Sequence, residues 1–98
     1  MTTEDEGSEL EEFEKAVLIA MCDAVNYSKA GHVPEGTVCR KFKSDLHGDV
    51  KTVLKKKLKK DGYIVRHPTG SNNTYQLTDK GFRACQIIND KLRKKQFS

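Results

Sequence analysis

Apolar residues recur along this chain with two different periods, and the points where the period changes divide it into elements. Leu10, Phe13, Val17, Ala20, Met21 and Ala24 follow steps of three and four, which is one stripe of a helix. Leu18, Ile19 and Val25 widen the stripe, so this first helix is expected to be buried on more than one side and to run to about Tyr27. Ser8-Glu9-Leu10-Glu11 has the capping-box pattern and places the start at Ser8. Residues 28–31 form a break, and His32-Val33 is long enough only for a stub of strand. From Pro34, which suits the first position of a helix, Val38, Cys39 and Phe42 give residues 34–43 a short apolar face. Gly36 weakens that second helix, and the β-branched Thr37-Val38 pair is also compatible with a strand. Residues 43–48 are turn formers, after which Val50, Leu54 and Leu58 recur at steps of four with Val53 on their flank. This third, amphipathic helix spans Asp49 to Asp61, and Gly62 is placed to end it in a left-handed conformation.

Beyond Gly62 the period shortens. Tyr63-Ile64-Val65-Arg66-His67 and Thr74-Tyr75-Gln76-Leu77 are rich in β formers, and residues 68–73 between them are dense in turn formers. The pair predicts a hairpin with a loop of about six residues, with Tyr75 and Leu77 on one face. A last helix follows, with Thr78 as its cap and Leu77 and Phe82 at the positions of a hydrophobic staple. Phe82, Cys85, Ile87, Ile88 and Leu92 form its stripe, and Lys91, Arg93, Lys94 and Lys95 favour the negative end of its dipole.

The order helix, stub, helix, turn, basic helix, hairpin, helix resembles the winged helix-turn-helix superfamily, in particular its small prokaryotic and archaeal transcription regulators. The residues that carry the resemblance are Val50, Leu54 and Leu58-Lys59-Lys60-Asp61-Gly62-Tyr63-Ile64-Val65-Arg66, then Tyr75-Gln76-Leu77-Thr78-Asp79-Lys80-Gly81. In such proteins a Leu-x-x-x-Gly step leads from the third helix into the wing, and Leu-Thr-x-x-Gly joins the wing to the next helix. The resemblance implies an α+β fold, mostly α, with three helices, a two-stranded wing and a C-terminal helix over residues 8–95. Residues 1–7 then form a disordered acidic leader and 96–98 a tail. It also implies binding of double-stranded DNA, with the third helix in the major groove and the wing tip at the minor groove or its flanking backbone. Gly81 is expected where the last helix packs closely against the hairpin.

Charge adds to this picture. The formal net charge of +4 hides a division, because residues 1–14 hold seven of the 14 acids and no base. Residues 15–98 therefore carry 18 bases against seven acids, a net +11, as suits a surface that meets phosphates. Five lysines fall between positions 55 and 60 with no acid among them, where a helix adapted only for solubility would mix in glutamate. A helical wheel sets Thr52, Lys55, Lys56 and Lys59 opposite the apolar face, with Lys51 on the border. Lys57 falls near the core side and is expected to snorkel past Leu54 and Leu58. The candidate nucleic-acid contacts are these five residues (Lys51, Thr52, Lys55, Lys56, Lys59), Arg40, Lys41 and Lys43 after the second helix, and Arg66, His67, Ser71, Asn72 and Asn73 in the wing.

Two other uses of the same fold remain open: a protein-interaction module, to which the acidic leader lends weight, and a structure-specific or RNA-binding domain, since lysine acts as a point charge with little base preference. No phosphate loop, nucleophile elbow or HExxH pattern is present, so no enzyme, cofactor or small-molecule substrate is expected. Cys22, Cys39 and Cys85 are widely spaced and read as small buried hydrophobes in a reducing compartment. His32, His47 and His67 add no ligand grouping, so no metal is expected. There is no membrane span, and the acidic start is unlike a signal peptide, so the expected location is the cytoplasm. Leu18, Ile19, Ile87, Ile88 and Phe97 exceed what one small core needs, which suggests a homodimer through the first and last helices.

Overall fold

The structure, a computed structural model, describes residues 10–28, 30–69 and 72–97, without the side chains of 68, 69, 72 and 93–97. The expectations for the leader, Ser8, Ser71 and the side chains of Asn72 and Phe97 lie outside the described residues. The architecture is α+β and mostly helical, with a three-stranded antiparallel sheet.

Helix α1 spans Glu12–Ala24, a turn shorter at its start than the Ser8 capping box suggests. Glu11 is the N-cap, and its backbone N–H donates to the Glu14 carboxylate at 2.8 Å, so the reciprocal acid of the box is Glu14. Starting later lets Leu10 fold back into the core. The helix also stops before Tyr27, because Asn26 and Tyr27 take left-handed φ angles of 53° and 58° and turn the chain away. The Tyr27 backbone N–H still reaches the Cys22 carbonyl at 2.8 Å, and Asn89 on the last helix donates to the Tyr27 hydroxyl.

Strand β1, His32–Pro34, leads directly into α2, Glu35–Cys39. This helix is about half the length expected over 34–43, consistent with Gly36 and the β-branched pair weakening it, and turns carry the chain to Phe42. Phe42 meets Phe13 edge to face at 5.8 Å between ring centres. A 3-10 turn, Ser44–Leu46, then runs straight into α3, His47–Val53, two residues before the expected Asp49. The apolar spacing continues, but Leu54–Leu58 is a π turn in which the Lys59 N–H reaches back five residues to the Leu54 carbonyl at 3.0 Å. The wider turn keeps Val50, Leu54 and Leu58 fully buried.

Strands β2, Ile64–Thr69, and β3, Asn72–Leu77, pair from Ile64 with Leu77 to Thr69 with Asn72. The wing is therefore longer and its loop shorter than the six residues expected, since only positions 70–71 lie between the strands. Pro68 is tolerated because β2 is an edge strand in the order β1-β3-β2. The stub becomes a third strand, with His32 opposite Gln76 and Val33 opposite Tyr75. Val33, Ile64, Tyr75 and Leu77 face the core. Helix α4, Asp79–Phe97, takes in two of the three residues expected to form a tail.

The Gly62–Tyr63 corner joins α3, the wing and α4. Gly62 has φ +85°, as its position after the helix suggested. The Thr78 hydroxyl donates to the Gly62 carbonyl at 2.5 Å and accepts from the Gly81 N–H at 3.1 Å, which caps α4 against the corner. A Cβ on Gly81 would stand 2.0 Å from the Tyr63 carbonyl oxygen, so only glycine fits there. Lys80 completes the clamp, its ammonium donating to the Asp61 carbonyl at 2.9 Å and lying 4.4 Å from the Tyr63 ring centre.

One expectation fails outright. Cys22 on α1 and Cys85 on α4 are joined in a disulfide, and only Cys39 is a free buried thiol. The helices cross where both cysteines point inward, a proximity that a separation of 63 residues conceals. Of the two α1 residues that suggested a dimer, Leu18 is fully buried within the single chain and Ile19 is half-buried.

Two outcomes follow for stability. Gly81→Ala should cost about 3 kcal/mol or more, because backbone must move, whereas Gly62→Ala should cost about 1 kcal/mol of left-handed strain; urea unfolding of the two variants compares them. The double substitution Cys22→Ala with Cys85→Ala should lower stability by about 2–4 kcal/mol, chiefly by freeing the unfolded chain. Urea unfolding with reductant present should show the same loss, because the bond becomes open to reduction once the chain unfolds.

Candidate nucleic-acid interface

The α2–β1 junction, α3 and the wing enclose an open cleft of about 460 Å³, lined by Pro34, Glu35, Gly36, Thr37, Arg40, Lys51 and Asn73. Three of the basic or polar residues picked out from the sequence thus stand around one depression: Arg40 from the end of α2, Lys51 from α3 and Asn73 from the wing. Arg40 is held by a hydrogen bond from its guanidinium to the Thr37 hydroxyl at 3.2 Å. Lys55 extends the same surface and reaches the Glu35 carboxylate at 4.0 Å.

The remaining candidates divide. Thr52, Lys56 and Lys59 are exposed on α3 and the turn that follows it, as are Lys41 and Lys43 on the connection from α2. The Thr52 hydroxyl donates back to the Gly48 carbonyl at 3.0 Å, which leaves its oxygen as an acceptor only. Lys57 is half-buried and pairs with Asp61 at 3.0 Å, which fixes the ammonium that the helical wheel had left near the core. In the wing, pleating puts Arg66, opposite Tyr75, on one face of the sheet and His67, opposite Thr74, on the other. His67 stacks on His32 and is turned away from the Arg66 side.

Glu35 is the residue that sequence reasoning missed. Its carboxylate, 12 % exposed, lines the basic cleft and accepts a hydrogen bond from the Tyr75 hydroxyl at 3.0 Å. As an acid in the first turn of a helix it looks like ordinary dipole compensation, and nothing local points to a partner 40 residues away. The consequence is chemical: an acceptor sits among donors at the floor of the cleft, tied to the core on one side and to Lys55 on the other. Burial first, then the hydrogen bond and charge of Glu35, push the Tyr75 hydroxyl well above its ordinary range. Burial also raises the Cys39 thiol, against the opposing pull of Lys51, so it stays protonated and unreactive.

The raised Tyr75 sets an alkaline signature. A group protonated more tightly in the folded state contributes stability that is whole below its unfolded value and falls as pH rises beyond it. Tyr75→Phe should therefore lower stability by about 1–2 kcal/mol at neutral pH, leaving the Glu35 carboxylate short of a donor. The advantage of the native protein over this variant should shrink above about pH 10, as unfolding at stepped pH will measure.

Compared with known proteins, the chain matches no protein-family model and no curated protein sequence.

Proposed function

We propose that this chain is a winged helix-turn-helix protein that binds double-stranded DNA, with α3 and its π turn in the major groove and the wing beside it, acting in the cytoplasm as a transcriptional regulator without catalytic activity. The observation that carries the reading is the cleft where Arg40 and Lys51 converge, with Lys55 reaching its Glu35 and Lys56 and Lys59 exposed on the same helical stretch. Donors drawn from three separate elements around one concave surface suit a curved polyanion better than they suit solubility alone. Lysine predominates among them, so phosphate contacts supply most of the affinity and base discrimination is modest. The Glu35 carboxylate is the acidic side chain among those lining the cleft and is suited to a cytosine amino group. In a reducing cytoplasm the Cys22–Cys85 bond is sheltered by the complete burial of both residues, which denies an attacking thiolate access.

Duplex affinity should fall steeply with salt, with a slope of log K against log salt near about −4 to −6 from four to seven phosphate contacts. Lys51→Ala and Lys56→Ala should each reduce that slope by about one. Titrations with random duplex, single strand and RNA distinguish the reading from its rivals. Preference for RNA assigns the surface to an RNA-binding domain, and no binding to any of them at low salt assigns it to a protein partner.

The homodimer belongs to the same reading, now resting chiefly on α4, with Ile19 of α1 half-buried. Leu92 is 50 % exposed and Ile87 half-buried on that helix. Pairing α4 helices about a two-fold axis would cover both and set two α3 helices along one face of DNA. Sedimentation equilibrium should give twice the 11.1 kDa chain mass, and Leu92→Glu should return it to one.

A further inference from the structure

On the sheet face opposite Tyr75, the two outer strands each contribute a histidine. His32 of β1 stands opposite Gln76 and His67 of β2 opposite Thr74, so the two side chains reach toward each other across β3. Their rings stack with centres 4.2 Å apart and planes 25° from parallel. The two are two residues out of register, a diagonal across β3, and Thr74, directly opposite His67, is only 5 % exposed. His32 itself is exposed and His67 half-exposed, so the pair is open to solvent.

We propose that His32 and His67 form a two-imidazole site for a late-transition divalent cation of the Zn²⁺ or Ni²⁺ class. Imidazole nitrogen suits these ions, whereas Mg²⁺ requires oxygen ligands. A tetrahedral ion with bonds of about 2.0–2.1 Å needs its two nitrogens about 3.3 Å apart. Ring centres 4.2 Å apart put both imidazoles within reach of one ion, and binding it requires both rings to rotate out of the stack so that a nitrogen of each faces a common point. No group of three or more histidine, cysteine or acidic side chains suited to a metal stands among the described residues, so water fills the remaining positions. The third histidine is elsewhere, its Nε2 3.1 Å from the Phe42 carbonyl oxygen. The site does not depend on the nucleic-acid reading. Its structural effect is a bridge over the sheet, tying β1, which continues into α2, to the wing strand β2.

The test uses the tag-free full chain, stripped of metal and then titrated with Zn²⁺ and Ni²⁺ against a chromophoric chelator, with Mg²⁺ as the control. The expected result is one equivalent bound per chain, a rise in melting temperature, and shifts of the His32 and His67 imidazole resonances but not those of His47. His32→Ala and His67→Ala should each weaken binding by about tenfold or more, and the double variant hardly further, as for two ligands of one ion. Circular dichroism checks that these surface variants fold. The proposal is overturned if neither ion binds saturably, if binding survives in the double variant, or if the metal shifts other resonances and leaves these two imidazoles unmoved.

Discussion

The Tyr63 carbonyl and the missing side chain at Gly81 are in contact, and the rest of the molecule is arranged around that approach. Because α4 can come within van der Waals distance of the Gly62–Tyr63 corner, the Thr78 hydroxyl can reach the corner's carbonyls and the Lys80 ammonium can lie on the Tyr63 ring. Those contacts set the angle at which the basic helix leaves and the wing departs. They also close the core, since Tyr63 is fully buried and lies between α3 and α4 in the chain. A side chain at position 81 would separate three elements at once.

The candidate interface inherits its geometry from this corner and from the second tie, Tyr75 to Glu35. Tyr75 is on the middle strand, so its position is fixed by ladders on both sides, and through its hydroxyl it fixes the head of α2. The basic residues around the cleft are long and flexible, but their backbones are held by helix, strand and corner. Order is thus placed in the scaffold, and adaptability is left to the long lysine and arginine side chains.

How much of this was readable in the chain depends on distance along it. Gly62, Gly81, the Thr78 cap and the apolar steps of Val50, Leu54 and Leu58 were legible because each satisfies a rule within a few residues. The wing's extent was underestimated because turn-forming composition over 68–73 says where a hairpin bends, and only cross-strand pairing says where it stops. The start of α1 moved because Glu11 and Glu14 also form a reciprocal cap, three residues beyond the Ser8 pattern, and Leu10 just before it is buried rather than part of the helix. Glu35 with Tyr75, His32 with His67 and Cys22 with Cys85 were all invisible for one reason: each is a meeting of residues at least 35 positions apart, made by the fold and leaving no local trace.

The disulfide has a topological consequence. Its two ends lie in α1 and α4, so the segment it encloses contains β1, α2, α3 and the whole wing. Every described residue of the candidate interface belongs to a closed covalent ring, with the start of α1 and the end of α4 as its two free arms. One break in the backbone anywhere in that ring, at the wing tip for instance, opens the ring without dividing the molecule, and both pieces stay joined through sulfur. A nicked chain can therefore keep its parts together where an unbridged domain of this size would lose them.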